Sequence, residues 1–289
     1  MLKLVRITGL GLLVLGGVLA WPVLKNAWRA THPRQHYDTE PVALPAGLGE
    51  PALLLFTKTN GFRHEEGIPA GVALIESIAA ERGFGVFHTE SGAVFTPENL
   101  ARVDAVIWHQ VSGDVLDEAQ KAAMKGWIEA GGGWVGVHGA GGDSAYAWSW
   151  YEDVLVGALF IGHPMGPQFQ DGTLVVEDRG HPATRGLPER ITHNEEWYSF
   201  DQSVRDKGYR VLATVDEASY EPRIRFLGTN KDLRMGADHP VIWSHCVGRG
   251  RAFYSALGHQ AKSYETEEMR SLLSGAIAWA ARLEGEGCD

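Results

Sequence analysis

A histidine flanked by glycines is the most chemically informative feature of this sequence. The stretch from Gly131 to Asp143, GGGWVGVHGAGGD, is typical of a buried strand over Trp134 to Val137 followed by a tight bend with His138 at its corner. A tight turn after a strand pushes one side chain out of the sheet, as a nucleophile elbow does with its serine or cysteine. Here the corner carries an imidazole. The pattern therefore predicts an active-site turn and argues against covalent acyl chemistry.

Other histidines follow other predicted strands. His64 lies in the loop after the first strand, His109 ends the third, and His259 follows the last. Because the C-terminal ends of parallel strands open on the same edge of a sheet, these imidazoles and His138 are predicted to converge on one crevice. Structural interpretations remain open: a solvated loop position for His64, and a buried hydrogen bond to a backbone carbonyl for His109.

Within the domain, three histidines precede a proline, which holds the preceding residue in an extended conformation. His163 and His239 are predicted to line the wall of the pocket. His181, within the segment EDRGHPATRGLP, reads as part of a surface turn with a structural role.

The acidic element is the segment from Asn194 to Tyr198, which contains Glu195, Glu196 and Trp197. Aromatic neighbours desolvate a carboxylate and raise its pKa, as a general acid or base near neutral pH requires. Aromatic faces also suit sugar rings. The alternative interpretations are a surface patch for the carboxylates and core packing for most of the ten tryptophans.

Sequence motifs for cofactors are missing. There is no HExxH, no CxxC, and no GxGxxG after the first strand, so a nucleotide cofactor is disfavoured. A divalent metal ion such as zinc stays open, because scattered histidine and glutamate ligands can assemble in space.

The charge balance argues against nucleic acid as a partner. Five of the 26 Lys and Arg residues lie in the first 36 residues, which contain no acid, so the remainder has a formal net charge near −15. Such a field repels a polynucleotide and favours solubility.

The N-terminal residues 1–23 combine Lys3 and Arg6 with an apolar run from Ile7 to Val23. This pattern predicts a membrane anchor or a signal peptide, and therefore a location in the cell envelope or beyond the cytoplasm, with membrane contact through this segment only. Residues 24–50 are predicted to be a linker, residues 51–284 one domain, and residues 285–289 a tail. A bridge between Cys246 and Cys288 is not expected, because terminal residues fray.

Within the domain, apolar runs alternate with helical patterns. This order predicts an α/β fold of the flavodoxin-like type, with a mostly parallel sheet, helices on both faces and extra mixed strands in the second half. The predicted strands are Leu53–Thr57, Gly85–Thr89, Ala105–His109, Trp134–His138, Thr173–Val176, Tyr209–Val215, Val241–His245 and Arg251–Ala256. The predicted helices are Pro69–Arg82, Pro97–Arg102, Leu116–Ala130, with a start at Asp114, and Thr266–Leu283.

Seven segments, in the right order from about Ala52 to Leu283, resemble the ThuA-like (trehalose utilisation) family, whose fold is similar to that of class I glutamine amidotransferases. The segments are NGFRH (60–64), GGGWVGVHGAGG (131–142), GALFIGHP (157–164), VEDRGHPATRGLP (176–188), EEWYSF (195–200), MGADHPVIW (235–243) and GRAFYSALGH (250–259).

The resemblance implies a ligand site at the sheet edge described above. The amidotransferase relatives carry a cysteine where this chain has His138, so glutamine hydrolysis through a thioester is not available. The implied activity belongs to sugar catabolism. We expect acid/base cleavage or isomerisation of a disaccharide or a 3-keto-glycoside by a hydrolase or lyase, with Glu196 or His138 as general base and metal assistance left open. The resemblance places His64, His138, Glu196 and His259 in catalysis. Substrate binding falls to Asn60, Arg63, His109, His163, Trp197, Tyr198, Asp238 and His239.

Two other interpretations remain. One is a non-catalytic carbohydrate-binding or scaffold domain with the same fold, and the other is a metal-dependent hydrolase of another small molecule. The expected partner is a small-molecule carbohydrate, and formation of a homo-oligomer stays open.

Overall fold

The computed structural model describes residues 21–143 and 146–288. Its strands are β1 (Ala52–Phe56), β2 (Gly85–Thr89), β3 (Ala105–His109), β4 (Gly133–Val137), β5 (Phe160–Gly162), β6 (Gln170–Val176), β7 (Arg190–Glu195), β8 (Ser199–Phe200), β9 (Arg210–Asp216), β10 (Arg223–Phe226), β11 (Thr229–Asp232), β12 (Pro240–Val247) and β13 (Gly250–Ser255).

Nine of these strands form one mixed sheet in the order β2-β1-β3-β4-β13-β12-β9-β6-β7. The first five run parallel, and the remaining pairs are antiparallel. The strands β1, β3, β4 and β13 are buried along their whole length, as parallel strands covered on both faces require. The predicted fold class is confirmed.

The last strand of the sheet is inserted beside a much earlier one. β13 pairs in parallel with β4, with Ser255 opposite Val137. The segments that leave these two strands, which begin at Ala256 and His138, therefore start side by side at one edge of the sheet. This topology is what brings the C-terminal part of the chain to the glycine-rich turn.

Helices cover the parallel half of the sheet. α2 packs against α5 on one face, whereas α3 packs against α4 on the other. The helices are α1 (residues 21–31), α2 (Gly67–Arg82), α3 (Pro97–Leu100), α4 (Glu118–Glu129) and α5 (Glu267–Ala280).

The predicted strands and helices are found within a few residues of their expected bounds. The predicted start of a helix at Asp114 is wrong. α4 begins after Asp117, which forms a capping box with Gln120. Asp114 instead accepts a hydrogen bond from Tyr37 and pairs with Lys121.

The segment before the domain lies against it. The Nδ2 atom of Asn26 in α1 lies 2.7 Å from the carbonyl oxygen of Arg63, and Leu44 is buried in the core. The predicted anchor, residues 1–23, lies outside the described residues except for its last three. Among residues 21–143 and 146–288, no helix is long and apolar enough to cross a bilayer.

The two cysteines form a disulfide between Cys246 and Cys288, contrary to the expectation from sequence. The expectation was wrong because the C-terminal segment is held in place. Arg251 donates hydrogen bonds to the backbone carbonyls of Trp279, Glu284 and Gly287.

Candidate active site

His138 sits at the sharp turn after β4. Its φ is +48°, a left-handed conformation that a side chain other than glycine rarely adopts. Its Nδ1 lies 2.6 Å from the carbonyl oxygen of Ala256, just beyond β13. A carbonyl can only accept, so Nδ1 carries a proton, and in the neutral ring Nε2 holds the lone pair. The turn therefore presents an oriented nitrogen base.

Two further imidazoles meet His138. The His64 ring centroid lies 4.8 Å from that of His138 and 4.6 Å from that of His259. His259 Nδ1 is 3.2 Å from His138 Nε2. Both rings come from loops that follow parallel strands, β1 and β13, and the predicted convergence of these three histidines is observed.

Glu196 joins the cluster from the antiparallel half of the sheet, as the first residue after β7. Its Oε2 lies 2.9 Å from His259 Nδ1 and 3.5 Å from His138 Nε2. Its Oε1 lies 3.2 Å from His163 Nδ1 and accepts a hydrogen bond from Gln168. This carboxylate is thus almost fully enclosed by nitrogen atoms.

The cluster sets the charge states of its members. Burial raises the pKa of Glu196, but the imidazoles of His138, His163 and His259 outweigh it and hold that pKa well below its usual value. The expectation that aromatic neighbours raise this pKa is therefore wrong. Burial lowers the pKa of His259, but Glu196 outweighs it, so that pKa is raised. Burial, followed by the charges of His138 and His259, lowers the pKa of His64 well below its ordinary value.

Tyr198 adds a hydroxyl group to the cluster. Its Oη lies 2.8 Å from His138 Nε2, and the two rings stack with centroids 4.3 Å apart. The Tyr198 carbonyl accepts a hydrogen bond from His239 Nε2 at 2.8 Å, which fixes the backbone at this point. Burial, and then the charge of Glu196, raises the pKa of Tyr198 well above its ordinary value. Tyr198 is therefore a neutral hydrogen-bond donor.

The cluster is not sealed on all sides. His163 and His259 keep part of their side chains exposed, 26% and 15%. Phe62 and Phe169 are also half-buried, with Phe169 4.9 Å from His259 and Phe62 4.9 Å from His64, centroid to centroid. Two imidazoles and two phenylalanine rings thus form the rim of the site.

The structure does not bring every predicted site residue to the cluster. His109 turns under α2, where its Nε2 lies 3.1 Å from the Gly67 carbonyl oxygen, and burial lowers its pKa to about 4. His239 hydrogen-bonds the Tyr198 carbonyl through Nε2 and contacts Glu217 through Nδ1. The others have separate partners: Asn60 donates to the backbone of Asp114 and His36, Arg63 pairs with Glu90, Trp197 donates to the carbonyl of Gln170, and Asp238 pairs with Arg205.

His181, expected in a surface turn, is fully buried. Its ring packs against Trp279, with centroids 4.8 Å apart, on the C-terminal helix α5. Its place in the core agrees with the predicted structural role, but the predicted surface position is wrong.

Three residues that position the site were not predicted. Glu195 accepts hydrogen bonds from the backbone N–H groups of Gly258 and His259. Gln110, at a φ of +58°, donates to the Gly258 carbonyl at 2.6 Å and accepts from the Gly139 N–H. The signals were their positions, beside Glu196 and directly after β3. For Gln168 the sequence gives no signal.

The arrangement offers an oriented lone pair, an imidazole whose pKa a neighbouring carboxylate raises, and a neutral hydroxyl within one small volume. Acid/base chemistry is open to such a set. The donor set is also that of a metal centre: His64, His138, Glu196 and His259 each offer an atom, all within 4.8 Å of one another.

Comparison with known proteins identifies relatives. The family model described as ThuA, trehalose utilisation, matches residues 52–280. A solved ThuA-like protein from Bacteroides uniformis is 25% identical, covering 82% of this chain and 94% of its own, with a TM-score of 0.67. A ThuA-like protein from Parabacteroides merdae is 19% identical, covering 80% and 89%, with a TM-score of 0.56. No curated protein matches the chain.

Proposed function

The chain belongs to the ThuA (trehalose utilisation) family, and from this premise we propose that it is an enzyme that cleaves or isomerises a disaccharide or 3-keto-glycoside by acid/base catalysis. The observation that carries the proposal is the His138 Nε2 atom. It lies 3.2 Å from His259 Nδ1 and 2.8 Å from the Tyr198 hydroxyl oxygen. A base, His138, therefore lies within hydrogen-bond distance of two groups that can donate a proton, His259 and Tyr198.

We assign His138 as the general base and His259 as the general acid. The bond to the Ala256 carbonyl holds the proton of His138 on Nδ1 and leaves Nε2 to accept one. The Glu196 carboxylate, 2.9 Å from His259 Nδ1, raises the pKa of His259 and so favours its protonated form. Opposite roles for neighbouring groups are what acid/base catalysis requires.

A keto-glycoside suits this machinery. His138 would remove the proton from the carbon between the ketone and the glycosidic carbon, which leaves an enolate. The electron pair of the enolate would expel the glycosidic oxygen, to which His259 would deliver a proton, and water would then add across the double bond. Without a leaving group, proton transfer to the enolate would give isomerisation.

Ordinary glycoside hydrolysis fits less well, because it requires two carboxylates across the scissile bond. Glu196 is one candidate. The neighbouring carboxylate, Glu195, is fully buried and accepts hydrogen bonds from Gly258, His259 and Ser263. Its oxygens are therefore occupied by two backbone N–H groups and a serine hydroxyl, and they are not available as a second catalytic carboxylate.

The rim of the site supports a sugar as the ligand. The half-buried rings of Phe62 and Phe169 lie next to the imidazole of His259, at centroid distances of 6.4 and 4.9 Å. Aromatic faces pack against the C–H faces of sugar rings, while the imidazoles offer hydrogen bonds to hydroxyl groups.

The proposal is tested by incubating the purified full-length chain with 3-keto-trehalose, other 3-keto-glycosides and the parent disaccharides, with and without divalent metals. We expect release of free sugar from at least one keto-glycoside. His138→Gln should reduce kcat by about 10²–10⁴-fold, the usual contribution of a general base. His36→Gln, which changes an exposed histidine outside the cluster, is the matched control and should retain activity.

Two outcomes would contradict the proposal. No turnover of any of these sugars under any metal condition would remove the enzymatic role. Sugar binding in calorimetry without product, and with the same affinity after His138→Gln, would favour the carbohydrate-binding scaffold instead.

We also propose that the domain acts outside the cytoplasm, with residues 1–23 as its anchor or signal peptide. The Cys246–Cys288 disulfide supports this location, because disulfides persist mainly in oxidising compartments. The test is cell fractionation combined with thiol alkylation of the natively expressed chain. Recovery of the chain in the cytoplasmic fraction with both thiols free would overturn the proposal.

A further inference from the structure

We infer that His64, His138, His259 and Glu196 bind one divalent transition-metal ion, and that zinc fits the site best. The inference concerns what the cluster holds. It does not depend on which sugar, if any, the protein converts. Zinc would occupy the Nε2 lone pair of His138 and replace the proton on His259 Nδ1, so the base and acid roles proposed above belong to the metal-free chain.

The spacing of the donor atoms matches a zinc coordination shell. Zinc binds imidazole nitrogen and carboxylate oxygen at about 2.0–2.2 Å in a tetrahedron, so neighbouring ligand atoms lie about 3.3 Å apart. His138 Nε2 and His259 Nδ1 are 3.2 Å apart. Glu196 Oε2 lies 3.5 Å from the first of these nitrogens and 2.9 Å from the second. These three atoms thus form one face of such a tetrahedron.

His64 supplies the fourth position. It is 6% exposed, and its ring faces those of His138 and His259 at centroid distances of 4.8 and 4.6 Å. Its buried Nδ1 has no hydrogen-bond partner within the described part of the chain. A buried imidazole that packs edge-on against two others, without a full set of hydrogen bonds, gains a partner when an ion occupies the centre.

The groups around the ligands are arranged as metal sites require. A ligating histidine usually donates its second ring N–H to a carbonyl or carboxylate, and the ligating carboxylate is itself hydrogen-bonded. His138 Nδ1 lies 2.6 Å from the Ala256 carbonyl oxygen. Glu196 directs Oε1 to His163 and Gln168, and its other oxygen, Oε2, faces the histidines. Each of these two ligands is therefore oriented by a separate partner.

The donor types select the class of metal. Imidazole nitrogen favours zinc and its transition-metal neighbours, whereas magnesium and calcium prefer sites built from oxygen. Three imidazoles and one carboxylate, each with one ligand atom within 4.8 Å of the others, match that preference. The buried position of three of the four ligands favours a dehydrated, tightly held ion.

The test measures metal directly. The full-length chain is expressed without a histidine tag, stripped with a chelator, and titrated with Zn²⁺ against a chromophoric chelator, with metal content read by mass spectrometry. We expect about one zinc per chain. Separate titration with Co²⁺ should give the visible absorption of a tetrahedral complex.

Four variants locate the site: His64→Gln, His138→Gln, His259→Gln and Glu196→Gln. Each should weaken zinc affinity by at least 100-fold, while His36→Gln and His32→Gln, which remove exposed imidazoles, should leave it unchanged. Since a variant could fail to fold, circular dichroism is recorded on each, and the zinc-dependent rise in Tm of the wild-type chain is measured as an independent readout.

The outcomes separate this inference from the proposed function. A wild-type chain that binds no zinc, or four variants that bind it as the wild type does, would overturn the metal site. Turnover of a keto-glycoside by the metal-free chain would support the proposed reaction, whether or not the chain binds zinc. Stoichiometric zinc without turnover of any sugar would keep the metal site and remove the proposed reaction.

Discussion

The carboxylate of Glu195 accepts the backbone N–H of His259 at 3.2 Å, and it also accepts the N–H of Gly258 at 2.7 Å. The end of β7, in the antiparallel half of the sheet, is thereby tied to the loop that leaves β13, in the parallel half. Because the next residue after Glu195 is Glu196, this contact sets the distance between the acidic and imidazole members of the cluster. Glu195 is a positioning residue.

Glu195→Gln should destabilise the protein and impair the site together. Burial raises the pKa of Glu195, but the imidazoles of His193 and His138 and the backbone N–H groups lower it to about 2, so the residue is a carboxylate at neutral pH. The glutamine amide keeps one acceptor oxygen, but its NH2 group would face backbone N–H groups that need an acceptor. We expect this to cost roughly 2–4 kcal/mol of unfolding free energy. Urea unfolding measures the loss, and zinc titration should show weaker binding because His259 is displaced.

Glu189→Gln is the control for this change. Glu189 is exposed on the approach to β7, and the same substitution there should alter the free energy of unfolding by less than about 0.5 kcal/mol. Equal effects of the two substitutions, or normal zinc affinity in Glu195→Gln, would contradict the positioning role.

Tyr198→Phe should separate chemistry from folding. The variant loses one buried hydrogen bond, between Tyr198 Oη and His138 Nε2, at a cost of about 0.5–1.5 kcal/mol. If Tyr198 donates a proton or a hydrogen bond to the reacting sugar, kcat should fall by at least about 10-fold. Zinc affinity should stay within about 2-fold, since the hydroxyl is outside the inferred ligand set.

Tyr209→Phe provides the comparison, because the Tyr209 hydroxyl also donates to one acceptor, the Val154 carbonyl, away from the cluster. We expect a similar small loss of stability and an unchanged kcat. A normal kcat in Tyr198→Phe would show that this hydroxyl only packs against His138.

Two glycines should respond to alanine in opposite ways. A Cβ at Gly142 would lie 2.3 Å from the Tyr198 ring, so Gly142→Ala must displace the tyrosine from His138. A Cβ at Gly126, on the helix α4, would meet nothing within 4 Å. Gly126→Ala should therefore stabilise the helix by about 0.5–1 kcal/mol, while Gly142→Ala should lower both stability and kcat.

Thermal unfolding and steady-state kinetics of the two variants check this prediction. Normal activity in Gly142→Ala would mean that the contact between Tyr198 and His138 tolerates a shift, and the role assigned to Tyr198 would then need to be abandoned.

The sequence predicted the parallel half of the sheet well, because its strands are continuous apolar runs between clear turn signals. β7 was missed for a physical reason. It is an edge strand of sequence RITHNE in which five of the six residues keep some exposure, so it carries no apolar run. Its position matters for function, since Glu196 directly follows it.

The candidate site was predictable to the extent that it depends on strand ends. His64, His138 and His259 all follow parallel strands and meet at one edge. Whether a side chain at a strand end faces the edge or the helices is decided by packing. His109 points under α2, where Gly71 leaves room for its ring, and no pattern in the sequence distinguishes it from His138.

Removal of the disulfide should weaken the attachment of the C-terminal segment. Cys246 and Cys288 are 42 residues apart, and closing a loop of this size stabilises a protein by about 4 kcal/mol in the chain-entropy model. We expect Cys246→Ser/Cys288→Ser to lower Tm, and reductant to lower the Tm of the wild type to that of the double variant. Reductant should have no effect on the variant itself, and a wild-type Tm that does not respond to reductant would contradict the prediction.

The buried His181 should contribute to acid sensitivity. Burial, followed by the charge of Arg210, lowers the pKa of His181 from its ordinary value of 6.5 to about 3. The unfolded state therefore binds the proton first as pH falls. The stability that depends on the neutral ring is complete above pH 6.5 and is lost as pH falls toward about 3, by an amount on the order of 4 kcal/mol.

His181→Asn tests this linkage. The asparagine oxygen can replace Nδ1 as acceptor of the Ala183 N–H but does not titrate, so the variant should be less stable at neutral pH and should lose stability less steeply on acidification. The slope of unfolding free energy against pH gives the difference in bound protons between the unfolded and the folded state. Measured by urea titration from about pH 7 to about pH 4, this difference should be smaller in the variant by up to one proton. His109 and His245, whose pKa values burial lowers to about 4, keep part of the slope in the variant. Equal slopes for the two proteins would mean that His181 takes up its proton without unfolding.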